Sequence, residues 1–362
     1  MKSIAQFTIN YAQYLNAEGQ VVEELPAFAQ QTDALLPLYR AMWLTRLFDQ
    51  KAIALQRTGQ LGTYASPLGQ EAIGVGIGYA MRPEDVLVPA YRDIAAMFVR
   101  GVRMTDILLY WGGDERGMDY QEAREDFPIS VPVASQCCHA VGIAYAMQLR
   151  HQPRVVVCCI GDGGTSKGDF YESINAAGVW GLPVVFVINN NQWAISVPRS
   201  AQSASQTLAQ KAIAAGIHGE QVDGNDVIAM RARTEAAIER AQQGEPSVIE
   251  ALSYRMSDHT TADDASRYRP PEELETYAAR DPIERLRRYL CDTGSWSDEQ
   301  QQALQQALAT EVEEAVQQYL GTQPQAAACM FDYLYETLPV ALKPQRDEVV
   351  TAHTSEGGNS HD

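Results

Sequence analysis

Apolar residues along this chain follow two rhythms. Leu38, Met42, Leu47 and Leu55 recur near helical spacing, and Gly59 supplies a stop, so a helix is predicted over 38–57. Farther on, four short apolar runs at 86–88, 155–160, 183–188 and 247–252 stand between helical stretches. Such runs read as strands buried in a parallel sheet. The alternation predicts an α/β fold, a doubly wound, mostly parallel sheet with helices on both faces. Residues 1–33 keep no sustained period and read as an irregular arm, 34–345 as the domain, and the polar stretch 346–362 as a mobile tail.

The segments after these runs carry the candidate chemistry. Tyr91-Arg92-Asp93 follows the first, Gly161-Asp162-Gly163-Gly164 the second, Asn189-Asn190-Asn191 the third, and Arg255 to His259 the fourth. In open α/β sheets ligands bind outside the carboxyl ends of strands, so the four should converge. A glycine-rich turn entering a helix near Asp169 lets backbone approach a phosphate. Ser166 rules out GxGxxG by replacing its third glycine, and rules out GxxxxGK[ST] by preceding Lys167.

What remains is an acidic side chain, Asp162, where a diphosphate would arrive. That arrangement calls for a divalent cation between the two anions, and Mg²⁺ suits few protein oxygens plus phosphate oxygens. The Asn191 amide oxygen, one strand later, and the Trp193 carbonyl are the further candidate ligands. Taken alone, the Gly-Asp-Gly turn reads equally well as a simple tight turn and the asparagine run as a polar loop.

The 28 basic and 46 acidic residues give a net charge of −18, which disfavours a nucleic-acid partner. The cysteines form two adjacent pairs in apolar runs, Cys137-Cys138 and Cys158-Cys159, with Cys291 and Cys329 apart and no CxxC spacing, which suits a reduced interior. The N-terminus lacks a secretory pattern and no apolar stretch reaches the ~18 residues needed to span a bilayer. The expectation is a cytoplasmic protein without membrane contact.

From Gly161 to Pro198 the sequence resembles the thiamine diphosphate signature, Gly-Asp-Gly followed by an Asn pair. Gly62-Thr63-Tyr64, Gly69-Gln70-Glu71-Ala72, Tyr91-Arg92-Asp93, residues 222–226, His259-Thr260 and Arg267-Tyr268-Arg269 extend the likeness from about Leu44 to Leu338. The chain is similar to alpha subunits of the decarboxylating component of 2-oxo acid dehydrogenase complexes. Gly163-Gly164-Thr165-Ser166 and Leu208-Ala209-Gln210-Lys211 resemble in particular the bacterial heterotetrameric pyruvate type.

The resemblance implies roles. Asp162, Asn191 and the Trp193 carbonyl would bind Mg²⁺, although the run carries one Asn more than the family's pair, so the ligand within 189–191 stays open. Tyr91 and Arg92 would contact the diphosphate beside Gly161, Gly163 and Gly164, with Ile195 following. Val131 and Val133 would lie against the cofactor rings. His259 would act in catalysis from a mobile loop, Arg255 would pair with loop acids or hold the loop, and Tyr64 would help set the substrate pocket. Ser130, Pro132, Ser135 and Gln136 resemble a potassium site, against the plainer reading of a capped turn before a helix over 136–149.

No segment resembles the pyrimidine-binding half that supplies the activating Glu. In the family a beta subunit provides it, so the resemblance implies an α₂β₂ heterotetramer with the chain inactive alone. The implied reaction is oxidative decarboxylation of a 2-oxo acid, pyruvate first, with reductive acylation of lipoyl-lysine on the acyltransferase's lipoyl domain. Branched-chain 2-oxo acid (3-methyl-2-oxobutanoate) and acetoin dehydrogenase alpha subunits share these motifs. A transketolase-like enzyme and a phosphate-binding scaffold are the readings from other classes, and phosphorylation at Thr260 or Ser266 is conceivable.

Overall fold

The computed structural model describes residues 1–356. The chain forms two compact units that part after Gln317. In the larger unit the strands β1 (Asn10–Ala12), β2 (Val86–Val88), β3 (Val156–Gly161), β4 (Val184–Asn190), β7 (His218–Asp223) and β8 (Ser247–Leu252) form one sheet, and a small ribbon joins β5 (Trp193–Ala194) to β6 (Val197–Pro198). The sheet order is β1-β7-β8-β4-β3-β2, and every pairing in it is parallel.

The helices are α1 (Leu36–Arg57), α2 (Glu71–Ala80), α3 (Ile94–Val99), α4 (Met104–Trp111), α5 (Ser135–Leu149), α6 (Gly168–Trp180), α7 (Arg199–Gln202), α8 (Lys211–Ala214), α9 (Val227–Gln242), α10 (Pro271–Ala278), α11 (Pro282–Asp292) and α12 (Asp298–Leu320). α5 and α6 cover one face: Cys137, Ala140 and Ala144 from α5 and Phe170 and Ile174 from α6 pack on Val156, Cys158, Val184 and Phe186. On the other face α9 packs on β4 and β8 and carries α2. β3 and β4 are buried along nearly their whole length, which explains why they read as uninterrupted apolar runs. Among the described residues no helix is long and apolar enough to cross a membrane.

Three expectations change. The N-terminal arm is not irregular throughout, since β1 adds an edge strand to β7 and Leu15 joins the core. The Tyr14 and Leu15 amides donate to Asp226 Oδ2 at 2.7 Å, and this tie holds the arm in place without any periodic apolar signal. β7 was also hidden, its exposed and partly exposed first half breaking the apolar run. The two compact units part after Gln317, and Lys343–Glu356 is a helix, α13, that runs into the stretch expected from 346 as a mobile tail. Its helix formers satisfy their own backbone although none of the side chains of 343–352 is buried. Residues 357–362 of the expected tail lie outside the described residues.

Candidate active site

β2, β3, β4 and β8 end at one edge of the sheet, and the segments beyond them close around a cavity of about 520 Å³. Tyr91, Arg92, Asp93, Gly161 to Gly164, Asn189, Asn191, Trp193, Ile195 and His259 all line it, as do Ser130, Val131, Val133 and Gln136 from the approach to α5. The convergence expected from strand ends is therefore observed, at a volume suited to one small cofactor.

Asp162 opens the tight turn Asp162–Ser166 at the end of β3. Only 2% of it is exposed, and its Oδ2 has no hydrogen-bond partner. Burial pushes its carboxyl up to about 6, partly offset by backbone amides and by Arg255 and Arg92. An unpaired buried carboxylate oxygen is costly, and a cation is what would compensate it. The turn is fixed from behind: Thr165 Oγ1 donates to the Asp162 carbonyl at 2.7 Å, and buried Lys211 donates to the Thr165 carbonyl at 2.6 Å. Glycine is required at Gly163 and Gly164, where a Cβ would come within 2.7 Å of Ala194 Cβ and of Ile160 Cγ1 respectively.

Strand alternation sorts the three asparagines. Asn190 turns away, donating to Glu250 at 2.7 Å and lining a separate cavity. Asn189 and Asn191 face the 520 Å³ cavity, but the Asn189 oxygen accepts from Ser253 Oγ at 3.0 Å. Asn191 Oδ1 accepts the Trp193 amide at 3.2 Å, and its Nδ2 donates to Gln70 Oε1 at 3.1 Å. Each oxygen of the pair thus accepts one hydrogen bond. The ribbon beyond turns sharply, with Gln192 and Ile195 at φ of +71° and +55°. Backbone held in the left-handed region by a non-glycine residue is strain of the kind that clusters at ligand sites.

Arg92 lines the cavity, Arg255 and Arg269 lie buried without lining it, and all three donate to carbonyls or a phenol rather than to carboxylates. Arg92 Nη2 donates to the His259 carbonyl at 2.8 Å and Nη1 to the Ser66 carbonyl. Arg255 Nη2 donates to the Ile195 carbonyl at 2.8 Å and to the Tyr268 hydroxyl at 2.7 Å. Arg269 Nη1 donates to the carbonyls of Arg255 and Ser257. Of the three, Arg92 borders the cavity, and a guanidinium there without a carboxylate partner suits phosphate oxygens. His259 Nδ1 faces Arg92 and Arg255 at 3.3 and 3.5 Å. Because both guanidinium groups can only donate, Nδ1 accepts and the ring proton sits on Nε2. Burial and then the two arginines depress the His259 pKa to about 4, so the imidazole is neutral near pH 7.

Several expected roles are revised by the geometry. Tyr64 is buried away from the cavity, edge-on to Phe48 and Trp111, while its neighbours Thr63 and Ala65 line the wall. The segment thus reaches the cavity through Thr63 and Ala65, whereas the Tyr64 ring faces the core. Arg255 forms no ion pair with a loop acid. It reaches Asp263 only through Tyr268, whose hydroxyl donates to Asp263 Oδ2, and so braces the loop by carbonyl contacts. Its Nη1 also meets the Trp193 carbonyl at 3.3 Å, leaving that oxygen one further lone pair. Ser130, Pro132 and Ser135 close on one another, Ser135 Oγ lying 2.8 Å from Ser130 Oγ and 2.7 Å from the Pro132 carbonyl. Gln136 donates to the Cys159 carbonyl at 3.1 Å, while its Oε1 is buried without a hydrogen-bond partner.

Sequence reasoning passed over Asp93 and Gln202 as cavity residues. Gln202 donates to the Gly163 carbonyl at 3.0 Å from a segment that carries no motif. Asp93 lay inside a recognised motif, and its carboxylate accepts the Ala90 amide at 2.9 Å.

Among the described residues no three His, Cys, Asp or Glu side chains gather as a metal cluster. The cavity instead gathers two carboxylates, Asp93 and Asp162, the Asn191 amide, the Trp193 segment and the Arg92 guanidinium. They meet at the carboxyl edge of a parallel sheet, where open α/β folds bind their ligands. Residues 39–327 match the family described as the dehydrogenase E1 component. The chain is 38% identical over 342 residues to the pyruvate dehydrogenase E1 component subunit alpha of Staphylococcus epidermidis, covering 94% of this chain and 92% of that one. It is 40% identical over 335 residues to the same-named subunit of Acholeplasma laidlawii, covering 91% and 96%. The chain belongs to the dehydrogenase E1 component family.

Proposed function

We propose that this chain is the alpha subunit of a pyruvate dehydrogenase E1 enzyme, binding thiamine diphosphate through Mg²⁺ and acting in the cytoplasm as an α₂β₂ heterotetramer. The observation that carries the reading is the buried, unpartnered Asp162 oxygen in a cavity also lined by Arg92, whose guanidinium donates to carbonyls and to no carboxylate. Asp162, the Asn191 oxygen and the Trp193 carbonyl would hold the cation, which would neutralise the diphosphate beside them. Tyr91 and Arg92 would bind the diphosphate. Val131 and Val133, both exposed within the cavity wall, meet the cofactor rings.

Bound thiamine diphosphate supplies a nucleophilic carbon for the keto carbon of pyruvate and an electron sink for the loss of CO₂. Neutral His259 holds a proton at Nε2, where it can donate to oxygen charge that develops on the substrate. Arg92 and Arg255 keep it in that tautomer. The acids lining the cavity are Asp93 and Asp162, and neither is a Glu positioned on a pyrimidine ring. A beta subunit supplies that carboxylate, and the exposed Tyr145, Leu149, Val179 and Trp180 on α5 and α6 support a subunit contact. Free cysteines agree with a reducing compartment. The assembled enzyme passes acetyl groups to the lipoyl domain of its acyltransferase.

The test is co-expression with a beta subunit, followed by CO₂ release and lipoyl acetylation from pyruvate and from 3-methyl-2-oxobutanoate. Activity only in the assembled enzyme, with pyruvate favoured, is the expected outcome. Full activity of the isolated chain would overturn the shared site, and preference for the branched acid would overturn the choice of pyruvate.

A further inference from the structure

Gln70 sits beside the cation ligands without a role assigned so far. It is 3% exposed, lines the cavity, and accepts the Asn191 Nδ2 hydrogen bond at 3.1 Å through its Oε1, while its own Nε2 has no partner. The orientation of both amides follows from one backbone group. The Trp193 N–H can only donate, so the Asn191 oxygen must face it, at 3.2 Å. That puts the Asn191 nitrogen toward Gln70 and obliges Gln70 to present its oxygen. Gln70 is left with a buried donor unpaired, an arrangement that is unfavourable unless the oxygen end does something useful.

We propose that Gln70 is a positioning residue for the cation site, holding the Asn191 nitrogen so that the Asn191 oxygen stays turned to the cation. Without this acceptor the Asn191 amide has no partner for its nitrogen on the Gln70 side, and rotation of the amide would present N–H groups, which repel a cation. Groups outside the inner ligand set commonly orient metal ligands in this way. The inference rests on the reading of the cavity as a site for Mg²⁺ and thiamine diphosphate.

The experiment measures the Mg²⁺ concentration for half-maximal thiamine diphosphate binding to the assembled α/β complex, read by quenching of tryptophan fluorescence. It compares wild type, Gln70→Met and Gln70→Leu, each in the native and the Asn191→Asp background, with assembly checked by sedimentation. In the native background the replacements raise the Mg²⁺ requirement about 10- to 100-fold. In the Asn191→Asp background they change it by less than about 3-fold, because a carboxylate has no nitrogen to misplace. Equal effects in both backgrounds, or no effect in the native one, would overturn the role of Gln70. Absence of Mg²⁺-dependent binding in wild type would instead remove the proposed function, and so the two failures are distinguishable.

Discussion

Two buried polar clusters lie at the carboxyl edge of the same sheet and differ in how their charges are matched. At the end of β7, Arg285 donates to Asp223 at 2.7 Å, and Asp223 also accepts from Gln13 and from the Asn225 amide. Asp226 beside it accepts the amides of Tyr14, Leu15, Ile228 and Ala229. At the ends of β3 and β4, Asp162 Oδ2 and Gln70 Nε2 have no partner, and Arg92 and Arg255 face only neutral acceptors. In the first cluster both carboxylates are matched within the chain, with only the Arg285 Nε left without a partner, and the cluster fastens the arm. The second leaves a buried carboxylate oxygen facing a cavity, the pattern expected of a binding site.

The largest expected effect is on the complete cluster. Arg285→Met leaves Asp223 buried without its ion pair, so chemical denaturation should show a loss of ~3–5 kcal/mol. Thiamine diphosphate affinity of whatever complex still assembles should be unchanged, and a comparable loss of affinity would dissolve the contrast between the clusters.

Asp162→Asn should act in the opposite sense on stability. The folded pKa is raised from 3.8 to about 6, so the favourable contribution of this group is present below 3.8 and is lost as pH rises through 6. At pH 8 the cofactor-free wild type therefore carries a penalty of up to ~3 kcal/mol that the variant lacks. The variant should melt higher without cofactor and lose the gain from adding cofactor with Mg²⁺. Melting lower at pH 8 would show that Asp162 is already compensated.

His259 offers a pH signature. Its folded pKa is depressed to about 4, so its contribution to stability is present above 6.5 and is lost as pH falls toward 4. An imidazole NMR resonance assigned by His259→Gln should stay in its neutral position from pH 8 to about 5.5. Titration near 6.5 would mean that Arg92 and Arg255 do not hold it.

The smallest effect belongs to Tyr64→Phe. The Tyr64 hydroxyl is buried near Asp49 without hydrogen-bond geometry, so removing it should change stability by less than ~1 kcal/mol and leave the KM for pyruvate unchanged. A marked rise in KM would return Tyr64 to the substrate pocket.

Much of this site was readable because it occupies positions that the sheet itself marks. A fully buried strand is an apolar run, and the polar residues directly after it must lie at the sheet edge, which located Asp162, Asn191, Arg92 and His259 before any geometry. The fold class followed from the same runs. β1 was not readable, because its attachment depends on Asp226, more than two hundred residues away in sequence. Tyr64 was misread because a motif gives a location, whereas the side a residue faces depends on the local backbone. The contact from Gln70 to Asn191 joins residues 121 positions apart, and only the fold brings them together.

The central claim is that the second cluster is completed by a cation and a diphosphate together. Calorimetric titration of thiamine diphosphate into the assembled α/β complex, with Mg²⁺ and again with a chelator, tests it directly. The expected result is saturable binding with Mg²⁺ that weakens by about 100-fold or more, ~3 kcal/mol, when the cation is removed. Equal affinity in chelator, or unchanged affinity in Asp162→Asn, would contradict it.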